Sequence, residues 1–211
     1  VNGHLDLLDN IWENRPELPQ DRAYLIDVKT TGQSTEDKIS AVKEKLKEKR
    51  ADVHFVSSLD DLAWILNIRG NDVHCNPVVL GFLLIEQERN ILFIGDNKLS
   101  ATDISTLQNA GIEVSNYKEA FEKVKNLQAK RILLDPKKTC FAIYDSVPAE
   151  VEILEDMNPS TALKSIKNQV EISHTRNAMI KDGVALTKFF KWVEENVSSG
   201  ELSEISIAEN L

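Results

Sequence analysis

The chain contains 211 residues, of which 42% are hydrophobic and 28% charged, and its formal net charge is −9 at pH 7. These proportions exclude a disordered chain, because the sequence can bury a sizeable apolar core. The negative charge excludes a broad nucleic-acid interface, since phosphate binding requires clustered Lys and Arg. No apolar run approaches the roughly 18 residues of a membrane helix and no signal peptide opens the chain, so we expect a cytoplasmic protein without membrane contact.

The two cysteines, Cys75 and Cys140, are too few for a disulfide framework and lack the Cys-x-x-Cys spacing. We therefore expect two free, buried thiols in a reducing compartment. The sequence starts at Val1 instead of Met, and a helical pattern continues to Leu211. We expect it to be a piece of a longer protein.

The first 20 residues combine an apolar patch with two prolines, Pro16 and Pro19. Proline interrupts a helix and favours extended backbone in the residue before it. We therefore expect residues 1–20 to be a connector that leads into a folded domain at residues 21–158; the family resemblance given below implies that a missing first domain precedes it.

This domain is predicted to begin with a helix, a strand and a second helix. Apolar residues recur at helical spacing over residues 34–50, which start with a Ser-x-x-Asp capping signal. The run Val53–Val56 predicts a strand. A helix is predicted at Leu59–Leu66, with Ser58 as its cap.

A β-hairpin is predicted in the middle of the domain. Two apolar runs, Val78–Ile85 and Ile91–Ile94, flank a polar turn at residues 88–90. The later elements are helices Ser100–Ala110 and Lys118–Leu127 and strands Ile112–Val114, Arg131–Leu134 and Val151–Leu154. This alternation predicts an α/β domain with a mixed sheet of five or six strands flanked by helices.

After Pro159 the pattern becomes helical only. From Ser160 to Val197 apolar residues recur at helical spacing and no strand signal returns. The apolar stripe, which includes Leu186 and Phe190, has no partner in this segment. We expect it to pack on another part of a longer protein.

The sequence lacks the residue patterns of catalytic and metal-binding sites. Its four histidines are far apart: His4, His54, His74 and His174. The adjacent acids Asp60 and Asp61 stand at a predicted helix start, where carboxylates complement the helix dipole. No P-loop, Gly-x-Ser-x-Gly or Gly-x-Gly-x-x-Gly motif occurs. We therefore assign no catalytic residue and no metal ligand to this chain.

One loop, Asn67–Pro77, places polar and charged residues between a predicted helix and a long apolar strand. Binding groups often lie on loops that rigid elements position. Arg69 can offer a planar fork of donors to a carboxylate or a carbonyl. Two interpretations remain open: a substrate cleft that includes Asn67, Arg69, Asp72 and Asn76, or a structural turn in which Arg69 pairs with Asp72.

Three blocks of sequence occur in order along the chain. They are Leu8-Asp9-Asn10-Ile11-Trp12 with Arg15-Pro16 and Pro19; residues 57–72 with Asn76-Pro77-Val78; and Lys167-Asn168, Glu171-Ile172, Thr175–Ala178 and Asp182–Leu186 up to Trp192. Together they resemble the three-domain, cytosolic-type Xaa-Pro aminopeptidase (aminopeptidase P) family over essentially the whole chain. Met179 departs from the pattern, because many members have His there, but that position is not a metal ligand in the family.

The resemblance implies a creatinase/prolidase N-terminal-like α/β domain at residues 21–158. It also implies that residues 159–211 are the first helices of a truncated pita-bread metallopeptidase domain. In this family the complete catalytic domain binds two divalent metals, typically Mn²⁺, through two Asp, one His and two Glu. The metals share a water that attacks the bond before proline. No segment of this chain matches those ligand motifs, so the resemblance implies that this piece alone is inactive.

For the longer protein, the resemblance implies an aminopeptidase that removes the N-terminal residue preceding proline from peptides, and a homodimer is compatible with it. This piece would then shape the cleft and make domain or subunit contacts. In related creatinases an arginine of the neighbouring subunit's N-terminal-like domain reaches the active site, which favours Arg69 as the cleft residue. The alternative function is a non-catalytic peptide- or protein-binding module, as in a histone chaperone that has the pita-bread fold without the metal site.

Overall fold

The computed structural model describes Leu8 and residues 11–211. Most of the residues at the start of the predicted connector, 1–7, 9 and 10, therefore lie outside the described part. The chain divides into two compact units, with the boundary between Ile166 and Lys167. The assignment of residues 159–211 to a second domain stays a prediction.

Eight strands occur in the described residues, and six of them form one mixed sheet. They are β1 Tyr24–Leu25, β2 Val53–Val56, β3 Ile68–Arg69, β4 Gly81–Glu86, β5 Asn90–Ile94, β6 Ile112–Asn116, β7 Arg131–Leu134 and β8 Glu152–Glu155. The large sheet has the strand order β6-β5-β4-β2-β7-β8. Strand β4 is antiparallel to both of its neighbours, whereas the other three pairs are parallel. The predicted α/β fold with a mixed sheet of five or six strands is confirmed.

The predicted hairpin is formed by β4 and β5, with Gly81 opposite Ile94 and Ile85 opposite Asn90. Strand β4 begins at Gly81, three residues later than the apolar run predicted. The reason is that residues 78–80 hydrogen-bond to the preceding loop. The amide of Leu80 donates to the Asp72 carboxylate at 2.7 Å, and the Asp72 amide donates to the carbonyl of Val78 at 3.2 Å.

Helices lie on both faces of the sheet and continue into the second unit. They are α1 Val28–Thr31, α2 Thr35–Glu48, α3 Leu59–Ile65, α4 Ala101–Asn109, α5 Glu119–Lys125, α6 Phe141–Asp145, α7 Pro159–Ser165, α8 Gln169–Asn196 and α9 Glu204–Glu209, with a 3₁₀ turn at Val197–Ser199. Helix α2 is capped as predicted, because the Ser34 hydroxyl accepts a hydrogen bond from the Asp37 amide. Helix α4 ends before Gly111, whose φ of 75° is accessible to glycine without strain.

Alternating side chains of the strands build two cores, one on each face. Val56 and Leu83 belong to the core that α2, α3 and α4 cover. Phe55 and Phe82 belong to the opposite core, which α5 and α6 cover. This period of two explains why the central strands are apolar throughout: both of their faces are buried.

The sequence pattern did not predict the short elements. Strands β1 and β3 pair with each other in a separate two-stranded sheet, with Tyr24 opposite Arg69. The helical region after Asn158 is divided into α7 and α8, because Ile166 is extended and Asn168 starts a new capping box with Glu171. Two-residue strands show no periodicity, and a cap inside a helical pattern is easily overlooked.

Two local predictions are wrong. Ser58 makes no side-chain cap for α3, because its hydroxyl donates instead to the Asp61 carboxylate. The cysteines are free, but both Cys75 and Cys140 are exposed. Cys75 lies in the loop after β3, and Cys140 lies directly before α6.

Candidate functional site

Arg69 ends strand β3, beside Tyr24 of β1. Its guanidinium is half-buried, and Nη1 donates to the carbonyls of Ala63 at 2.8 Å and Ile68 at 2.9 Å. Burial lowers the pKa of Arg69, while nearby Tyr24 acts in the opposite sense. The guanidinium stays charged at neutral pH. Both of its hydrogen bonds in the described part of the chain go to main-chain carbonyls.

Asn67 holds the start of the candidate loop in place. The residue is buried and has a φ of 53°, a left-handed conformation that Asn adopts more readily than most residues. Its Oδ1 accepts from Lys38 Nζ at 2.6 Å, and its Nδ2 donates to the Gln33 carbonyl at 3.0 Å. The Asn67 carbonyl also accepts from the amide of Ile26. Both ends of its side chain are therefore used by the protein.

Asp72 does not contact Arg69, so the predicted Arg69–Asp72 pair is wrong. Asp72 pairs instead with Lys98 in a buried ion pair, and its second oxygen accepts from the Leu80 amide. The physical reason is that the two side chains point in different directions. Arg69 donates towards α3, whereas Asp72 faces residues 78–80 and the turn after β5. Asp72 therefore anchors the loop.

Asn76 is exposed at the tip of the loop. Its amide donates to the Val73 carbonyl at 3.1 Å, and these two residues form an isolated β-bridge. A surface hollow of about 320 Å³ lies here, lined by Asn71, Val73, His74, Cys75, Asn76 and Pro77. Asn76 is the one member of the predicted set that lines this hollow.

The structure thus gathers the four predicted residues in one region but joins no two of their side chains. Within the described residues the four include a half-buried guanidinium and an exposed side-chain amide, and their role in binding stays a prediction. The chemistry does not suit a metal, because Asp72 is the only carboxylate of the loop and Lys98 already neutralises it. No group of three or more His, Cys, Asp or Glu elsewhere in the described residues could hold a metal ion.

Sequence reasoning missed two buried lysines that shape this region. Lys38 in α2 donates to Asn67 and to the Trp64 carbonyl at 2.9 Å, and its Nζ lies 4.6 Å from the centre of the Trp64 ring. Lys98 donates to Asp72 and to the Asp21 carbonyl. The sequence pattern did indicate that Lys38 is buried. It lies one residue before the buried Ile39 and four residues before the buried Val42, on the buried face of α2. Nothing local distinguished Lys98.

Comparison with known proteins places this geometry in a family. A model of the creatinase/prolidase N-terminal domain matches residues 14–171. The chain belongs to the creatinase/prolidase N-terminal domain family. That match covers the sheet, the candidate loop and α7.

Relatives of this creatinase/prolidase N-terminal domain carry peptidase names. Xaa-Pro aminopeptidase 1 of Dictyostelium discoideum is 38% identical over 205 residues, which are 94% of this chain and 32% of that protein. A probable Xaa-Pro aminopeptidase P of Laccaria bicolor is 34% identical over 92% of this chain and 31% of its own length. The chain therefore spans about a third of the length of these relatives.

A solved structure shares the fold over nearly the whole chain. The X-prolyl aminopeptidase of Caenorhabditis elegans matches with a TM-score of 0.89 and 28% identity, over 97% of this chain and 34% of that one. That protein is described as a cytosolic enzyme with a di-nuclear active site. In the described part of this chain, no helix has the length and apolar character to span a membrane.

Proposed function

We propose that this chain is part of a metal-dependent aminopeptidase that removes the N-terminal residue preceding proline. The observation that carries the proposal is the 38% identity with an Xaa-Pro aminopeptidase across 94% of the chain. The relatives' names favour this peptidase over the non-catalytic binding module. The proposed location is the cytoplasm, which agrees with the cytosolic C. elegans enzyme.

The catalytic metals are proposed to lie in the remainder of the longer protein. The C. elegans enzyme has a di-nuclear site, which supports two metals, and we propose Mn²⁺ for both. The described residues of this chain do not fit such a pair, because the loop's one carboxylate is held by Lys98.

The proposed role of the α/β unit is to shape the cleft and to contact the rest of the protein. A groove of about 530 Å³ lies between α2 and α7, with Met157, Leu163 and Ile166 among its lining residues. Ile166 is 80% exposed. Exposed apolar surface of this kind marks a contact. We propose that this groove contacts the part of the longer protein that this chain does not include.

Residues 159–211 are proposed to be the first helices of the pita-bread domain. Helix α8 has 28 residues and none of them is buried. An amphipathic helix draws most of its stability from packing, so α8 requires a partner. The remainder of that domain is the partner we propose.

The decisive experiment compares this 211-residue chain with the longer polypeptide encoded by the same gene. Each is incubated with Mn²⁺ and a peptide that begins Xaa-Pro, with a matched Xaa-Ala peptide and a chelator as controls. We expect metal-dependent release of the first residue by the longer protein only. Failure of the longer protein to cleave Xaa-Pro would overturn the proposed function. Metal-dependent cleavage by the 211-residue chain would overturn the proposed place of the metals. Sedimentation of the longer protein tests the homodimer.

A further inference from the structure

Asp61, in the first turn of α3, is a fully buried carboxylate that receives an unusual number of donors. Its side chain has no exposed surface. It accepts hydrogen bonds from Lys138 Nζ at 2.8 Å, Asn158 Nδ2 at 3.0 Å, Thr161 Oγ1 at 3.2 Å and the Ser58 hydroxyl, and it pairs with Lys164 Nζ at 2.9 Å. We call Asp61 and these five partners the Asp61 cluster.

The partners in the cluster come from distant parts of the chain. Lys138 lies in the turn after β7, whereas Asn158, Thr161 and Lys164 belong to α7 or to its N-cap. The cluster is also internally connected, because Lys138 Nζ donates to Thr161 Oγ1 at 3.1 Å. One carboxylate therefore ties α7 both to α3 and to the end of a central strand.

Charge within the cluster favours the ionised form of Asp61. Burial by itself would raise the pKa of Asp61, but hydrogen bonds from Lys138, Ser58 and Asn158 outweigh it and hold the pKa well below its usual range. Asp60, the exposed neighbour, pairs with Lys164 as well. Two carboxylates therefore face two ammonium groups.

Apolar packing holds α7 only in part. The helix has seven residues, and its buried members are Pro159 and Ser160. Leu163 packs against the core, but Ile166 just beyond the helix is exposed. A helix this short has little stability of its own. The charged hydrogen bonds of the cluster supply the remaining attachment.

We propose that the Asp61 cluster is a clasp that fixes α7 on the α/β unit and so sets the direction in which the polypeptide leaves that unit. Helix α7 is the next element after β8, so the polypeptide leaves the sheet through this helix. The Asp61 carboxylate binds both to α7 and to Lys138 in the turn after β7. This short, weakly packed helix therefore becomes a rigid extension of the unit. This inference does not depend on the proposed peptidase activity.

Amide hydrogen exchange on the 211-residue chain tests the clasp, with Asp61→Asn compared against Asp145→Asn, an exposed aspartate outside the cluster. We expect exchange in residues 159–166 to accelerate at least about tenfold in Asp61→Asn, with no such change in Asp145→Asn. Exchange in the β4–β5 hairpin should stay at its original rate in both variants. The clasp is wrong if residues 159–166 keep their original rate in Asp61→Asn, or if the hairpin accelerates equally.

A second variant covers the case in which Asp61→Asn does not fold. Thr161→Val combined with Lys164→Met removes two donors from α7, while Lys138, Ser58 and Asn158 still satisfy the carboxylate. We expect the same selective acceleration in residues 159–166. Unchanged exchange there in this double variant would refute the clasp independently.

Discussion

Lys98 and Asp72 form an ion pair in which the two side chains are only 3% and 1% exposed. The pair joins three segments of the chain. Asp72 lies in the loop after β3, Lys98 lies in the turn after β5, and Lys98 Nζ also donates to the Asp21 carbonyl at 3.3 Å. This ion pair therefore attaches the loop that carries the candidate site to the turn that follows β5 of the sheet.

The first prediction is that Lys98→Met lowers the free energy of unfolding by about 3–5 kcal/mol, because Asp72 is left as a buried, uncompensated charge. The measurement is urea unfolding of the 211-residue chain. Exposed Lys118→Met is the matched control and should stay within about 0.5 kcal/mol of the original. Adding Asp72→Leu to Lys98→Met should recover part of the loss, since both charges are then gone. A Lys98→Met variant as stable as the control would refute the anchor.

How far the sequence could predict this molecule depended on the range of the interactions. Helix α2 and the β4–β5 hairpin were predictable, because their apolar period and caps are local. The Lys98–Asp72 pair was not, since it joins residues 26 positions apart and nothing local marks which lysine is buried. The candidate loop was located by its polarity, but which groups its side chains contact was decided by distant segments.

The second prediction concerns Asn67, whose two roles can be separated. Asn67→Gly removes the hydrogen bonds to Lys38 and Gln33 but tolerates the positive φ, and we expect a loss of about 1–3 kcal/mol. Asn67→Ala removes the same bonds and adds a strained backbone, which should cost about 1 kcal/mol more. Urea unfolding measures both. Equal stabilities of the two variants would show that the backbone carries no strain, and stability equal to the original would show that the bonds contribute nothing.

The third prediction is a pH dependence that arises from His54. This residue is fully buried, and burial lowers its pKa to about 4, while its hydrogen bond to Leu133 and the nearby carboxylates of Asp61 and Asp135 act in the opposite sense. The unfolded chain binds a proton near the ordinary pKa of about 6.5, whereas the folded chain does not until about 4. The unfolded state therefore binds more protons in this window, and stability falls as pH falls through it.

Between pH 7 and pH 4.5, His54 should cost the fold about 2 kcal/mol. The measurement is urea unfolding at several pH values for the original chain and for His54→Gln, which cannot titrate. We expect the difference in unfolding free energy between them to shift by that amount across the window. His74→Gln, at an exposed position, is the control and should follow the original chain. Parallel curves for His54→Gln and the original would contradict the prediction.

The fourth prediction concerns Arg69 in the longer protein and rests on the proposed peptidase function. The guanidinium uses Nη1 for two main-chain carbonyls and forms no ion pair among the described residues, so charge and donors remain for a substrate. Arg69→Ala should lower kcat/KM for Xaa-Pro peptides at least about tenfold, which is about 1.4 kcal/mol of transition-state binding. Arg69→Lys keeps the charge without the fork and should recover part of the rate.

The control for Arg69 is Arg89→Ala, which removes an exposed arginine paired with Glu113. It should leave kcat/KM unchanged. All variants are assayed below their melting temperatures, because Arg69→Ala also removes two hydrogen bonds and should lower Tm by a few degrees. If Arg69→Ala retains its kcat/KM while Tm falls, Arg69 is a structural residue of the β3 turn.

The last prediction is that α8 is protected only in the longer protein. None of its 28 residues is buried, and Met179, Ile180, Val184, Leu186 and Phe190 are between 42% and 66% exposed. Without a packed face even a long helix opens readily, so its amides in a dilute 211-residue chain should exchange far faster than those of α2. In the longer protein the same amides should slow by at least about a hundredfold, while α2 keeps its rate. If α8 is as protected as α2 in a dilute monomer of this chain, the helix has no need of a further partner and the proposed packing is wrong.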